Sequence, residues 1–282
     1  MPKFLNIRPD TAANQTHVSN FSTELLRLRN NDPKALFRES LTRNYTEYLH
    51  ISSENAIVLG DIEVPDHDAE ILSMVADMAQ KHGIKLLILN GDLYDAGKFS
   101  TWKKTVESSG ISFSAEIEEV RDILRNFMKI FNNIALLSGN HEQRIPKMSG
   151  GSITLGHFLE GIHELRNVTF SEYGYLTLDS CGEQYYICHP QNYSRIPLST
   201  ARELAAKKLM HVVVGHNHHL SHGFDRSGRF HIIDGGCGRD PQKTQYKAMS
   251  ANTFPEWIPG FVMILNGVPF TISKKNYPIF MS

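Results

Sequence analysis

The sequence predicts an α/β fold, a layered sandwich of two mixed β-sheets flanked by helices. Three observations predict it. From residue 56 onward, short apolar runs alternate with stretches whose apolar residues recur at helical spacing, as in a parallel or mixed sheet covered by helices. Later runs are closely spaced, which predicts a second, more antiparallel sheet. The first five runs each end in a polar cluster, as strands do where their carboxyl ends border a ligand crevice.

In chain order, residues 1–50 form an N-terminal extension, polar and rich in Asn and Arg. Leu25, Leu26, Leu28, Ala35, Leu36, Phe37 and Leu41 predict two short helices there, separated at Asp32-Pro33. This extension is expected to pack on the main domain or to bind a protein partner, because it carries no cluster of ligands or bases. Residues 51–282 form the main domain. Its predicted strands are "AIVLG" (56–60), "KLLILN" (85–90), "IALLSG" (134–139), "QYYICHP" (184–190), "HVVVGH" (211–216), "RFHIIDGG" (229–236) and "GFVMIL" (260–265). Helices are predicted over 67–82 and 114–132, the first starting at "DHD" with Asp66 as an N-cap candidate. There is no internal repeat.

A chain of 282 residues with 41% hydrophobic residues can build a substantial core. The 29 Lys and Arg nearly cancel the 30 Asp and Glu, which excludes recruitment of nucleic acid or an anionic membrane by net charge. No apolar run approaches the ~18 residues of a membrane span, so no membrane role and a cytoplasmic location are expected (the host cytoplasm for a viral protein). Cys181, Cys188 and Cys237 have no paired spacing and read as buried free thiols in a reducing compartment.

The polar clusters are "GDIE" (60–63), "GDLYD" (91–95), "GNHE" (139–142), "CHP" (188–190) and "GHNHH" (215–219). Singly, Asp61, Asp92 and Asn140 read as turn residues beside glycine. Brought together at one sheet edge, the five loops outline a two-metal site. Carboxylates and imidazoles suit divalent cations, and a pair of cations binds phosphoryl oxygens, activates water and stabilises developing negative charge. Such a pair suits a phosphate ester, which repels hydroxide and has a poor leaving group.

In order, "DIE", "GDLYD", "GNHE", His189 and "GHNH" resemble the dispersed signature of the calcineurin-like metallophosphoesterase superfamily: D-x-H, GDxxD, GNH[DE], an isolated His, and GHxH. The resemblance covers residues from about 56 to 265. It implies that Asp61 and His218 bind one metal, that Asp92 bridges, and that Asn140, His189 and His216 bind the second. It further implies in-line attack on phosphorus by a hydroxide between the metals, with His141 as general acid oriented by Asp95, a partner expected to raise the imidazole pKa.

Two departures refine the expectation. Where phosphoprotein phosphatases of this superfamily have Arg in "GDYVDRG", this chain has Ala96. That favours the phosphodiesterase and nuclease-like branch, which the tail "EWIPGFVMILNG" also resembles, so the expected substrates are nucleotides or nucleic acid. Phosphomonoesterase or protein phosphatase activity is the alternative. Glu63 stands where the family has His. As a ligand it makes a shell of three carboxylates and one imidazole, shifting preference from zinc toward manganese, with iron, magnesium, zinc and nickel as the other candidate ions. As a non-ligand it leaves the first metal weak or absent, which would suit a non-catalytic interaction module.

Arg144 and Arg195, with Lys147, are candidate phosphate-binding residues. His211 is expected to be structural, His219 and His222 to lie at the surface or to support the ligands, and Trp102 and Trp257 to pack.

Overall fold

Each inner strand of the first half is apolar on both faces, because both faces are covered. The computed structural model describes residues 48–100, 110–153, 167–244, 249, 251, 253 and 255–282. Residue contacts divide the chain into Met1–Thr46 and Glu47–Ser282. The predicted N-terminal helices and Trp102 lie outside the described residues.

One six-stranded sheet contains β2 (Asn55–Leu59), β3 (Leu86–Leu89), β4 (Asn133–Leu137), β5 (Val168–Ser171), β11 (Gly260–Leu265) and β12 (Val268–Ser273), in the order β12-β11-β2-β3-β4-β5. The other contains β1 (Leu49–Ser52), β6 (Tyr175–Ser180), β7 (Glu183–Cys188), β8 (His211–Val214), β9 (Leu220–Phe224) and β10 (His231–Gly235), ordered β1-β6-β7-β8-β10-β9. Both sheets mix parallel and antiparallel pairs. The predicted boundary at 50/51 falls inside β1, which pairs in parallel with β6.

Period-two alternation sorts the strand residues into layers. Ala56, Val58, Leu86, Ile88, Ala135 and Leu137 face Leu178, Tyr185, Ile187, Val213 and Ile233 of the other sheet. Ile57, Leu59, Leu87, Leu89 and Leu136 point the opposite way, onto α1 (Ala69–Lys81) and α2 (Phe113–Met128) through Ile71, Val75, Met78, Val120 and Leu124. The outer face of the second sheet packs on α4 (Ser199–Lys208) through Tyr186, Val212, Ala201 and Ala205. Two further helices are short, α3 (Arg144–Met148) and α5 (Tyr277–Met281).

The N-cap of α1 is Asp68 and not Asp66: its carboxylate accepts from Glu70 N and Ile71 N at 3.1 and 3.4 Å. Asp66 is instead taken by Arg239, at 2.6 Å. α2 stops at Met128, before the predicted 132, because the backbone amides of Asn132 and Asn133 turn to the carbonyl of Lys85. Cys188 and Cys237 are buried as expected, but Cys181 is exposed. It occupies the β6–β7 hairpin turn with Gly182, at φ 55 and 88.

Candidate metal centre

Strands β2, β3 and β4 run parallel, as do β7 and β8, so within each sheet the polar clusters emerge at carboxyl ends on a common edge. Beyond the strands the first two loops remain laddered. Asp61 N donates to Gly91 O at 3.0 Å, Glu63 N to Asp92 O at 2.9 Å and Asp95 N to Val64 O at 3.0 Å. The third loop is fastened to the second by Glu142, a buried residue to which the sequence reading gave no role. Its carboxylate accepts from Asp92 N, Leu93 N and Gly139 N at 2.9, 2.8 and 2.8 Å. Close approach also fixes Gly91: at φ 76, a Cβ there would lie 2.7 Å from the His189 ring.

The predicted ligands gather into two groups whose donor atoms lie within 4.8 Å of one another: Asp61, Glu63 and His218, and Asp92, His189 and His216. A third grouping, Glu63, Asp92 and His141, links them. In the first, His218 Nε2 is 3.1 Å from both Asp61 Oδ1 and Glu63 Oε1. The backbone amide of His216 donates to both oxygens of Asp61, at 3.1 and 3.0 Å. In the second, His189 Nδ1 meets Asn90 O at 2.9 Å, while Nε2 lies 3.0 Å from Asn140 Oδ1 and 3.3 Å from Asp92 Oδ2. All seven predicted ligands are therefore brought to one edge.

Charge in this edge is tightly coupled. Burial would raise the Asp92 carboxyl, but His189 and His141 hold it far below the ordinary carboxylate range. Burial would lower His189, yet Asp92 and Asp61 raise it to about 10. A proton on His189 Nε2 thus satisfies the oxygens that converge on it, and a divalent cation would satisfy them in its place. His216 is pushed down, by burial and then by His189. The donor set of carboxylates, one amide oxygen and imidazoles fits a divalent cation. The backbone agrees, since Asp61, Glu63, Asp92, His216 and His218 all sit at positive φ (53, 48, 52, 73 and 57). Such backbones cost on the order of 1–3 kcal/mol each and cluster at ligand clamps.

His141 is buried beside both groups. Its amide donates to Asp92 Oδ1 at 2.9 Å, its Nε2 is 3.6 Å from Asp92 Oδ2, and its Nδ1 is 3.5 Å from Asp95 Oδ1. Asp95 does favour the protonated ring, but the expected net rise in pKa does not occur. Burial lowers it, and Asp92 and Asp95 only partly offset burial and the nearby Arg144.

Arg144, on α3, grips both the carbonyl and the carboxylate of Asp95, the latter at 3.1 Å. Lys147 is exposed, and Arg195 is exposed between β7 and α4. That segment is tied to "GHNH" by Ser194 N donating to Asn217 Oδ1 at 3.0 Å. His211 begins β8 and bonds Glu183 at 2.8 Å, as befits a structural residue. His222 is exposed, whereas His219 is buried 3.7 Å from Asp234. Trp257 packs on His218 with ring centroids 4.3 Å apart.

Arg239 escaped the sequence reading altogether. It is buried, forms an ion pair with Glu63 Oε2 and another with Asp66, and lies 5.7 Å from the Trp257 ring centroid. Its one sequence signal was its place in the glycine-rich "GGCGRD" that begins at the last residue of β10. The carboxylate-rich shell expected around the first ion therefore has a guanidinium facing its Glu63 charge.

Two mixed sheets with carboxylate and imidazole groups at their strand ends define a metallophosphoesterase-like α/β sandwich. The sequence matches the calcineurin-like phosphoesterase family over residues 55–236, and the chain belongs to that family. Among solved structures, Vps29 of Entamoeba histolytica is 13% identical with a TM-score of 0.40, covering 78% of this chain and 98% of that one. Vps29 of Chaetomium thermophilum is 11% identical with a TM-score of 0.41, covering 74% and 79%. A phosphatase of Mycoplasma pneumoniae is 15% identical with a TM-score of 0.33, covering 80% and 96%. No curated protein sequence matches the chain. Among the described residues no helix is long and apolar enough to cross a membrane.

Proposed function

We propose that the protein is a dinuclear-metal-dependent phosphodiesterase acting on nucleotides or nucleic acid in the cytoplasm, with manganese as the preferred ion. The observation that carries the two-ion reading is the pair of donor groups, Asp61–Glu63–His218 and Asp92–His189–His216, linked through Glu63, Asp92 and His141. When bound, the cations would neutralise phosphoryl oxygens and lower the pKa of water. Asp61, Glu63 and His218 would hold one, and Asn140, His189 and His216 the other, with Asp92 shared.

The chain's own groups supply the rest. Glu142 fixes the second and third loops against each other, so the donors need little reorganisation. His141, steered by Asp95, is the proton donor to the leaving oxygen. Burial makes its charged form scarce, and an arriving phosphodiester anion would favour that form. Arg144 restrains Asp95, and Arg195 is placed on a loop that could reach an anionic substrate. The diesterase assignment rests on Ala96, which takes the place of the phosphate-gripping Arg of phosphoprotein phosphatases and is fully buried.

The test is hydrolysis of bis-p-nitrophenyl phosphate against p-nitrophenyl phosphate with Mn²⁺, Fe²⁺, Mg²⁺, Zn²⁺ or Ni²⁺. The expected result is Mn²⁺-dependent preference for the diester. Preference for the monoester overturns the diesterase assignment, and no activity with any ion overturns the enzyme reading.

A further inference from the structure

Resting on the two-site reading, we infer that Arg239 is a built-in counter-cation to Glu63, making the Asp61–Glu63–His218 site the weaker and more exchangeable of the two. The two oxygens of Glu63 face different partners. Oε1 lies 3.1 Å from His218 Nε2, within the donor group, whereas Oε2 pairs with the Arg239 guanidinium. A guanidinium stays charged at any working pH. Arg239 offsets one of the two carboxylate charges it touches, Glu63 and Asp66, so the three groups together carry one net negative charge in place of two. Glu63 differs from the neutral imidazole for which it substitutes in offering the pocket an oxygen donor with a fixed positive charge behind it.

Arg239 is held in place by more than Glu63. Asp66 Oδ2 anchors the guanidinium at 2.6 Å, and the Trp257 ring lies 5.7 Å from it. The backbone around it is stitched to the Glu63 loop. Gly238 N donates to Gly60 O at 2.9 Å, Asp68 N to Gly238 O at 2.8 Å and Asp240 N to Asp66 O at 2.8 Å. Gly238 permits this approach, because a Cβ there would lie 2.8 Å from Ile62 Cγ1. A cation entering beside Glu63 therefore meets a resident positive charge that cannot swing away. The Asp92–His189–His216 group has no such neighbour among the ion pairs of the described residues.

The experiment is calorimetric titration of Mn²⁺ into the metal-free full-length chain. Wild type is expected to bind two equivalents with separable affinities. R239Q is expected to tighten the weaker by about tenfold or more and leave the tighter unchanged, whereas R239K keeps the charge and stays near wild type. E63Q removes the Glu63 charge from between the guanidinium and the donor group and is expected to lose the weaker equivalent. It is nearly isosteric, so it keeps the inference falsifiable if R239Q does not fold. Two equivalents that R239Q leaves unchanged or weakens, or that E63Q retains at wild-type affinity, overturn the inference alone. A wild type that binds no Mn²⁺ overturns the metal-centre reading and the inference with it.

Discussion

Glu142 and His141 are adjacent in sequence and differ in what they serve. Glu142 faces backbone, its carboxylate taking three amides that would otherwise be buried without partners. His141 faces the side chains of Asp92 and Asp95 and is not needed to complete either main donor group. We therefore expect His141→Ala to retain wild-type metal content by elemental analysis while losing about 10²–10⁴-fold in turnover, the scale of a lost proton donor. Loss of metal would instead make it a ligand. At this scale Asp61, Asp92, Asn140 and His216 were legible because each follows glycine at the end of an apolar run, and Glu63 and His218 lie two residues further along the same loops. Arg239 was not, because its meaning depends on Glu63 and Asp66, the latter 173 residues away in the chain, and neighbouring glycines alone do not distinguish it from a solvated arginine.

Among the elements, strands covered on both faces were legible as unbroken apolar runs; β3 is "LLIL", buried throughout. The missed strands lie mostly at sheet margins. Edge strands β5 ("VTFS") and β9 ("LSHGF") mix polar and apolar residues because only part of each is covered. α4 was missed for a related reason: its buried face consists of Thr200, Ala201 and Ala205, too small to leave an amphipathic signature. The start of α1 shows how tertiary partners choose among equivalent residues. Either Asp66 or Asp68 can cap a helix in isolation, but Arg239 claims Asp66 and Asp68 caps. Asp68 also meets Lys274 at 2.8 Å. We expect Asp68→Ala to cost about 1 kcal/mol, a Tm decrease of about 2–4 °C in a thermal melt. An unchanged Tm would mean that water replaces the cap without penalty.

In the whole molecule, oxygen donors come from the loops after β2, β3 and β4, and imidazole donors from the loops after β7 and β8. Neither sheet owns the complete set. Cation binding should therefore add to global stability as well as to activity. At about 100 times its Kd a bound cation contributes about 2.7 kcal/mol. We expect chelation with EDTA to lower Tm by roughly 5–10 °C, reversed by added Mn²⁺. A melt indifferent to chelation would count against tight binding at either group.

The division of donors has a mechanical side. The apolar layer between the sheets resists separation, but dispersion contacts have no direction and give little resistance to sliding. Coordination is directional, and it would join Asp61 to His216 and His218 across more than half the chain. Occupied, the centre would be a cross-brace against shear between the sheets. It would hold the alignment of the very loops from which it is made.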